Sequence, residues 1–398
     1  MTATAPARKL AEPIHTRAGL GARFRAMSNV ALTMMLRDRL KLFGTLFGVV
    51  FAVVFATFQM GTCLALVDKN ETLVANTDCD LWVTPPGVKQ LQASTPLTDA
   101  DLARVRAVDG VAWVAPLLVR GAEVKLPSGG SEAVSLVGTR GPRFAGGPFH
   151  LVAGKVDDLA TPHAIFFEDA QREKLGGVDL GDEREVNGHS VRVVGFTWGL
   201  SPFAPPYAFA DEPLAREILR TPPDRHDFLL VGVEPGADRR EVQRRIREAV
   251  PSDNVMTGEE FQASIRHELL FESQIGFTFG ATTFMGLLVG LITVALSMLS
   301  SVADNIRIFG TLKALGCTNL DLSALLFVQA TLYGAVGSLI GLGFIGATVQ
   351  GIRNADLTPI VPPQLMGWTA IVMIAVCVVA SVLALQRVRK VEPGMVFR

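Results

Sequence analysis

The sequence is short of cysteine, of net charge and of any catalytic or nucleotide-binding signature, and each shortage removes a class of function. Only four cysteines occur in 398 residues, Cys63, Cys79, Cys317 and Cys377. A formal net charge of −1 leaves no global basic field for nucleic acid. No G-x-x-x-x-G-K-[ST] loop is present to cradle nucleotide phosphates, and no G-x-S-x-G turn to present a nucleophile. The histidines, His15, His150, His163, His189, His226 and His267, stand without i, i+4 or C-x-x-C partners. No catalytic residue, no metal ligand and no cofactor bound by this chain is therefore expected.

What is present is apolar sequence in long blocks. The chain is 49% hydrophobic and 19% charged, a mixture that suggests membrane spans plus a water-exposed domain. A span needs about 20 apolar residues to cross a core of about 30 Å. Four charge-free runs qualify, near residues 42–67, 275–302, 323–349 and 368–386. The first is too long, and too far from the N-terminus, to read as a cleaved signal peptide.

Basic residues orient these runs. Arg17, Arg23, Arg25, Arg37, Arg39 and Lys41 precede the first, and Arg387, Arg389, Lys390 and Arg398 follow the last. Arg307 and Lys313 lie between the second and third, whereas the short third-to-fourth loop has only Arg353, against Asp356. Both termini and the middle loop are thus expected in the cytoplasm of a bacterial inner membrane protein, with residues 68–257 outside. The expected map is a cytoplasmic segment with an amphipathic helix (1–41), span 1 (42–67), the periplasmic domain (68–257) and a stalk helix continuing into span 2 (258–302). A cytoplasmic helix (303–322), span 3 (323–349), a short loop (350–367), span 4 (368–386) and a cytoplasmic tail (387–398) complete it. Cys79 is then the single exported cysteine, so the outer domain must rely on its own core.

That domain alternates strand and helix signals. DLWVT at 80–84 reads as a strand. TDADLARVRAV at 98–108 reads as a helix with Thr98 as N-cap and Asp101 in the capping-box position. VAWVAPLLV and SEAVSLVG read as strands around a PSGG turn, and Asn187-Gly188 lies between alternating segments as a hairpin signal. DFLLVGVEPG reads as a strand, and ADRREVQRRIREAV as an amphipathic helix with Val242, Ile246 and Val250 on one face. Each end of the domain therefore reads strand–helix–strand. An α+β class follows, sketched as a ferredoxin-like split βαβ pair with a β-rich lobe inserted at about 141–223.

TGEE at 257–260 is another capping box, and the helical pattern continues through Phe261, Ile265 and Leu269 into the second span. A single helix of about 45 residues, about 65 Å long, is expected there as a lever arm. Within the spans, Gly44 and Gly48, Gly276 and Gly280, Gly286 and Gly290, and Gly337 and Gly341 are spaced for close helix packing. GLGFIG at 341–346 matches a dinucleotide fingerprint only by letters, because it lies inside the third span. Gln59 and Gln329 are the intramembrane polar groups, expected to find hydrogen-bond partners.

The stretch IRIFGTLKALGCTNLD at 306–321 is half apolar and basic, with Ile308, Leu312 and Leu315 at helical spacing and Phe309 beside them. On its own it suits either a protein groove or an anionic bilayer surface. The wider segment resembles the signature region of the FtsX/MacB-like permeases of ABC transporters, roughly R-x-[IF]-G-x-L-[KR]-A-[LI]-G. Arg307, Phe309, Gly310, Leu312, Lys313, Ala314, Leu315 and Gly316 fall on that pattern. The tail RVRKVEPGMVFR is similar to the family's closing motif, and the layout of spans is similar over nearly the whole chain. Residues 38–87 most resemble the permease of the heterocyst-glycolipid exporter branch, while Ile308 and Gln329 stand where many members carry glutamate. The resemblance implies a coupling helix, with Ile306, Arg307, Ile308, Phe309, Leu312, Lys313 and Leu315 docking a separate ABC ATPase that carries ATP and Mg. It also implies a homodimer, mechanotransmission to the periplasm, an adaptor (membrane fusion) protein and a TolC-type outer-membrane channel. An FtsX-like relay to a periplasmic hydrolase, a lipoprotein-releasing permease and a binding module unrelated to ATP are the alternatives.

Overall fold

A computed structural model describes residues 20–88, 91, 96–141, 143–200, 205–314, 317–351 and 359–389. The chain opens with α1 (Leu20–Arg37) and α2 (Arg39–Asn76), followed by β1 (Leu81–Thr84), β2 (Leu97–Thr98), α3 (Asp99–Arg106), β3 (Val111–Lys125) and β4 (Ser131–Thr139). Next come β5 (Leu151–Ala153), β6 (Ala164–Glu168), β7 (Glu183–Val186), β8 (His189–Thr197), β9 (Tyr207–Asp211) and α4 (Glu212–Leu219). Then β10 (Arg225–His226), β11 (Phe228–Val233), α5 (Arg239–Ala249), β12 (Asn254–Met256) and α6 (Gly258–His267) complete the mixed region. The final helices are α7 (Gln274–Asp304), α8 (Ile306–Ala314), α9 (Asn319–Gly351) and α10 (Pro363–Arg389). Two compact units result, a helical one (Met1–Ala56, Phe284–Phe344, Pro363–Arg398) and a β-rich one (Thr57–Thr283, Ile345–Pro362).

Among the described residues four helices, α2, α7, α9 and α10, are long and apolar enough to cross a membrane. The core of the helical unit is built from Val49, Val53, Met298, Phe309, Leu326 and Met373 among others.

In the β-rich unit the strand order is β12-β1-β11-β3-β4-β9-β6-β8-β5, with β7 pairing both β3 and β8. The first four are antiparallel neighbours, and the parallel pairs are β4 with β9 and β6 with β8. Strands β5 to β9, from the Gly- and Pro-rich middle of the domain, continue the same sheet beyond β4. Successive residues of β1 serve opposite faces. Leu81 and Val83 join Val105, Val242 and Ile246 of α3 and α5, while Trp82 joins Phe261 and Ile265 of α6. The Asn187-Gly188 turn has φ of +47° and +87°, the left-handed pair a two-residue hairpin demands. Helix α3 begins with the reciprocal Thr98–Asp101 box, and α6 with Thr257–Glu260.

The helix that holds the first span runs well beyond the apolar run, and the helix expected through the second is interrupted. Helix α2 continues through the polar stretch at 68–72 to Asn76, 38 residues in all, or about 57 Å at 1.5 Å per residue. Leu73 and Val74 keep it ordered, being 1% and 2% exposed in the core of the β-rich unit. The expected continuous 258–302 helix is broken instead. A π turn over Glu268–Glu272 follows α6, and Ser273 is extended at φ −80° and ψ 150°. The Ser273 amide donates to Glu268 O (2.7 Å), an i to i−5 bond, and its hydroxyl donates to Leu269 O (2.7 Å). The same hydroxyl accepts from the Gly276 amide (3.2 Å), capping α7. One serine thus closes one helix and opens the next. Gly276 faces the backbone of Leu269 and Leu270, where any Cβ would overlap their carbonyl oxygens.

Candidate coupling site

Asn305 alone separates α7 from α8. Its side-chain amide donates to Ser301 O (2.8 Å), and its carbonyl accepts from the Phe309 amide (3.1 Å), so both helix ends are stapled at one residue. Phe309 is 1% exposed in the core of the helical unit and anchors α8 there. Ile306, Arg307, Ile308, Thr311 and Ala314 are exposed, Gly310 is buried, and Lys313 is half-buried. At the far end, the Cys317 amide donates to Leu312 O (3.0 Å). Thr318 and Asp321 form a reciprocal cap on α9 (2.9 and 3.3 Å).

The expected outward strip of Ile308, Leu312 and Leu315 is revised by this geometry. Leu312 is half-buried against the core rather than outward, and Phe309, read as a flanking contact, is the anchor. At 3.6 residues per turn Leu312 lies about 40° from Ile308 and about 60° from Phe309, on the boundary between outside and core. Leu315 and Gly316 lie outside the described residues, as do Arg353, Asp356 and the tail beyond Arg389. Leu320, at the start of α9, is 80% exposed and was not singled out by the sequence, because it belongs to the next helix.

The span glycines separate into groups. A Cβ on Gly48 would meet Thr293 Cγ2 at 2.5 Å, on Gly286 Phe55 at 2.6 Å, and on Gly290 Ala52 at 2.8 Å. On Gly337 a Cβ would overlap Val49, and on Gly341 it would reach Val53 at 2.9 Å. These five face neighbouring helices of the same chain. Gly44 and Gly280 face open space, and Gly276 serves the Ser273 break instead of helix pairing. Along the helical unit α2 and α7 therefore run antiparallel through paired positions: Lys41 with Asp304, Thr45 with Ser297, Gly48 with Thr293, Ala52 with Gly290 and Phe55 with Gly286. Gln329 is 3% exposed and donates to Ala31 O (3.4 Å) of α1. Gln59 donates to Thr282 Oγ1 (2.7 Å).

Within the β-rich unit the last turns of α2 are held on several sides. Arg266 of α6 donates twice to the Glu71 carboxylate (2.9 and 2.7 Å). Lys69 Nζ donates to Pro205 O (2.6 Å), and the Tyr207 hydroxyl to Lys69 O (3.2 Å). Among the described residues no three His, Cys, Asp or Glu side chains gather as metal ligands.

Residues 42–249 match the MacB-like periplasmic core domain, and residues 280–393 match the FtsX-like permease C-terminal region. No curated protein matches the sequence. The chain is similar to the extracellular domain of the ABC-type transporter YknZ from Gram-positive bacteria, at 17% identity and a TM-score of 0.34, over 45% of this chain and 99% of that one. It is also similar to the periplasmic region of MacB from Actinobacillus actinomycetemcomitans, at 11% identity and a TM-score of 0.37, over 48% of this chain and 94% of that one.

Proposed function

Because this chain belongs to the FtsX/MacB-like permease superfamily, as a membrane permease component of an ABC-type transporter with the MacB-like periplasmic core domain, we propose that it transmits the motion of a separate ATPase to that domain through α8. It is a multi-pass membrane protein with a large periplasmic domain between its first two spans.

The observation that carries the reading is the two-sided character of α8. A nine-residue helix of this length is not stable alone. It is held by Phe309 from inside while Arg307, Ile308 and Thr311 face out. An apolar Ile308 beside a guanidinium suits a protein cleft with acidic walls. In this reading the ATPase, which binds ATP and Mg, pushes on that face. The paired α2–α7 seam then carries the displacement along α2, an unbroken helix whose last turns are part of the β-rich core. The lever assigned to the second span by its sequence passes to the first, because Ser273 interrupts α7 from α6.

The remaining parts of the reading rest on resemblance and pattern. They are cytoplasmic termini, a homodimer, export through an adaptor protein and a TolC-type channel, and a place near the heterocyst-glycolipid exporter branch. The antiparallel order β12-β1-β11-β3, with α3 and α5 as crossovers, supports a ferredoxin-like split βαβ pair for the base of the domain.

Co-purification with a co-expressed ABC ATPase of the same organism tests the docking. Wild type should recover that ATPase, and Arg307→Glu/Ile308→Asp should lose it while keeping the wild-type melting temperature. Recovery of equal ATPase by both proteins would remove α8 as the docking element. Leu312 is unsuitable for this test, because a charge there would enter the core.

A further inference from the structure

We propose that Lys41 is a positioning residue for α8, holding the root of that helix to the start of α2 through Asp304; its part in coupling rests on the function proposed above. Lys41 Nζ pairs with Asp304, and with Asp38 Oδ2 at 3.3 Å. Asp304 is the last residue of α7 and is one residue from α8. Asp38 already has a local task, since its carboxylate accepts from the Lys41 amide (3.3 Å) and its carbonyl from Leu42 (3.0 Å), capping α2.

The placement of these two charges is informative because each is wrong for its own helix. A carboxylate at a C-terminus opposes the helix dipole, and α7 carries no basic residue in its last turn to offset it. An ammonium in the first turn of α2 opposes that dipole as well, and α2 has no acidic residue there. Beyond the local contacts to Asp38 and Ser300, the two charges offset each other across the helices. Asp304 does favour the N-terminus of α8 that follows, which ties the pair to the coupling helix rather than to α7. Ser300 Oγ donates to Asp304 Oδ2 (3.4 Å), and Thr45 and Ser297 hydrogen-bond one turn further along, so the contact belongs to an ordered row. With Phe309 fixing one side of α8 in the core and Asp304 tying its root to Lys41, displacement of the outward face reaches the core at Phe309 and α2 at Lys41.

The experiment is amide exchange on the full chain in nanodiscs, with and without its ATPase, comparing wild type with Lys41→Asp, Asp304→Lys and the double swap. Without ATPase, each single reversal should raise exchange at residues 305–310 by about two- to five-fold, the range an exposed ion pair supports. The double swap should return it to wild type. In the ATPase complex, ATP should change exchange in α8 and in the first turns of α2 together in wild type and the double swap, and in α8 alone in the single reversals. Unchanged exchange in the single reversals, or a double swap that folds but fails to restore it, overturns the proposal. If no ATPase is recovered with wild type the coupling reading fails, and the first comparison still decides whether the pair positions α8.

Discussion

Replacing Gly276 with alanine would put a methyl group where the chain has no room. The new Cβ would stand 2.6 Å from the Leu270 carbonyl carbon and overlap the oxygens of Leu269 and Leu270. These are backbone atoms, so no side-chain rotation relieves the clash. Overpacking of this kind costs about 1–3 kcal/mol in the bent state. Gly276 is helical in either state, as part of α7, so the gain in helix propensity is common to both and the clash alone sets the difference. The clash shifts the balance from bent to straight by about 1–3 kcal/mol, or about 5- to 150-fold. The assay is exchange at the Gln274 and Ile275 amides. As the first residues of α7 they have no intrahelical acceptor and should exchange quickly in wild type. In Gly276→Ala they should become protected as the π turn gives way to continuous α-helix. Rapid exchange at both amides in the variant, with an unchanged melting temperature, would refute the reasoning that glycine is required for the break.

Other outcomes follow from single contacts. Asp227 is fully buried and accepts from the Val119 amide (3.0 Å) and twice from Arg120 (3.1 and 2.7 Å), so Asp227→Ala should cost about 3 kcal/mol in chemical denaturation. A loss below about 1 kcal/mol would show that water replaces the carboxylate there. Burial holds the Glu168 carboxyl above its ordinary value of 4.5, although Thr197 and the Leu200 amide pull it down. A raised folded pKa gives stability that is full below 4.5 and lost as pH rises through the folded value. Glu168→Gln should therefore melt increasingly above wild type as pH rises from acid to neutral, and parallel melting profiles would contradict this. Glu71→Arg should loosen α2 from α6, with Arg266→Glu restoring it in the double variant, read by proteolysis between 258 and 283.

Much of the architecture was legible because its signals are local. Four apolar runs, two capping boxes, the Asn187-Gly188 turn and the Val242–Ile246–Val250 face each need only a few neighbouring residues to be read. The strand order was not legible, since it pairs residues 81 with 231 and 135 with 207 across the chain. The extension of α2 was hidden because DKNET looks like a surface exit, and only Leu73 and Val74 entering a distant core keep it helical. The break at Ser273 carries no proline, and LLFES reads as helix; the one local hint was a serine three residues before a glycine. For α8 the sequence located the helix but misjudged its rotation. Nine residues with apolar side chains at 306, 308, 309 and 312 fit more than one inward face, and the choice of Phe309 was made by the core of the helical unit.

The most direct test of the account is site-specific photocrosslinking from α8 in cells that co-express an ABC ATPase of the same organism. A photoreactive residue at Ile308, which is 37% exposed, should crosslink to the ATPase. One at Phe309, which is 1% exposed, should crosslink only within the chain. Crosslinks to the ATPase from neither position, or equally from both, would contradict the assignment of α8 as the coupling helix.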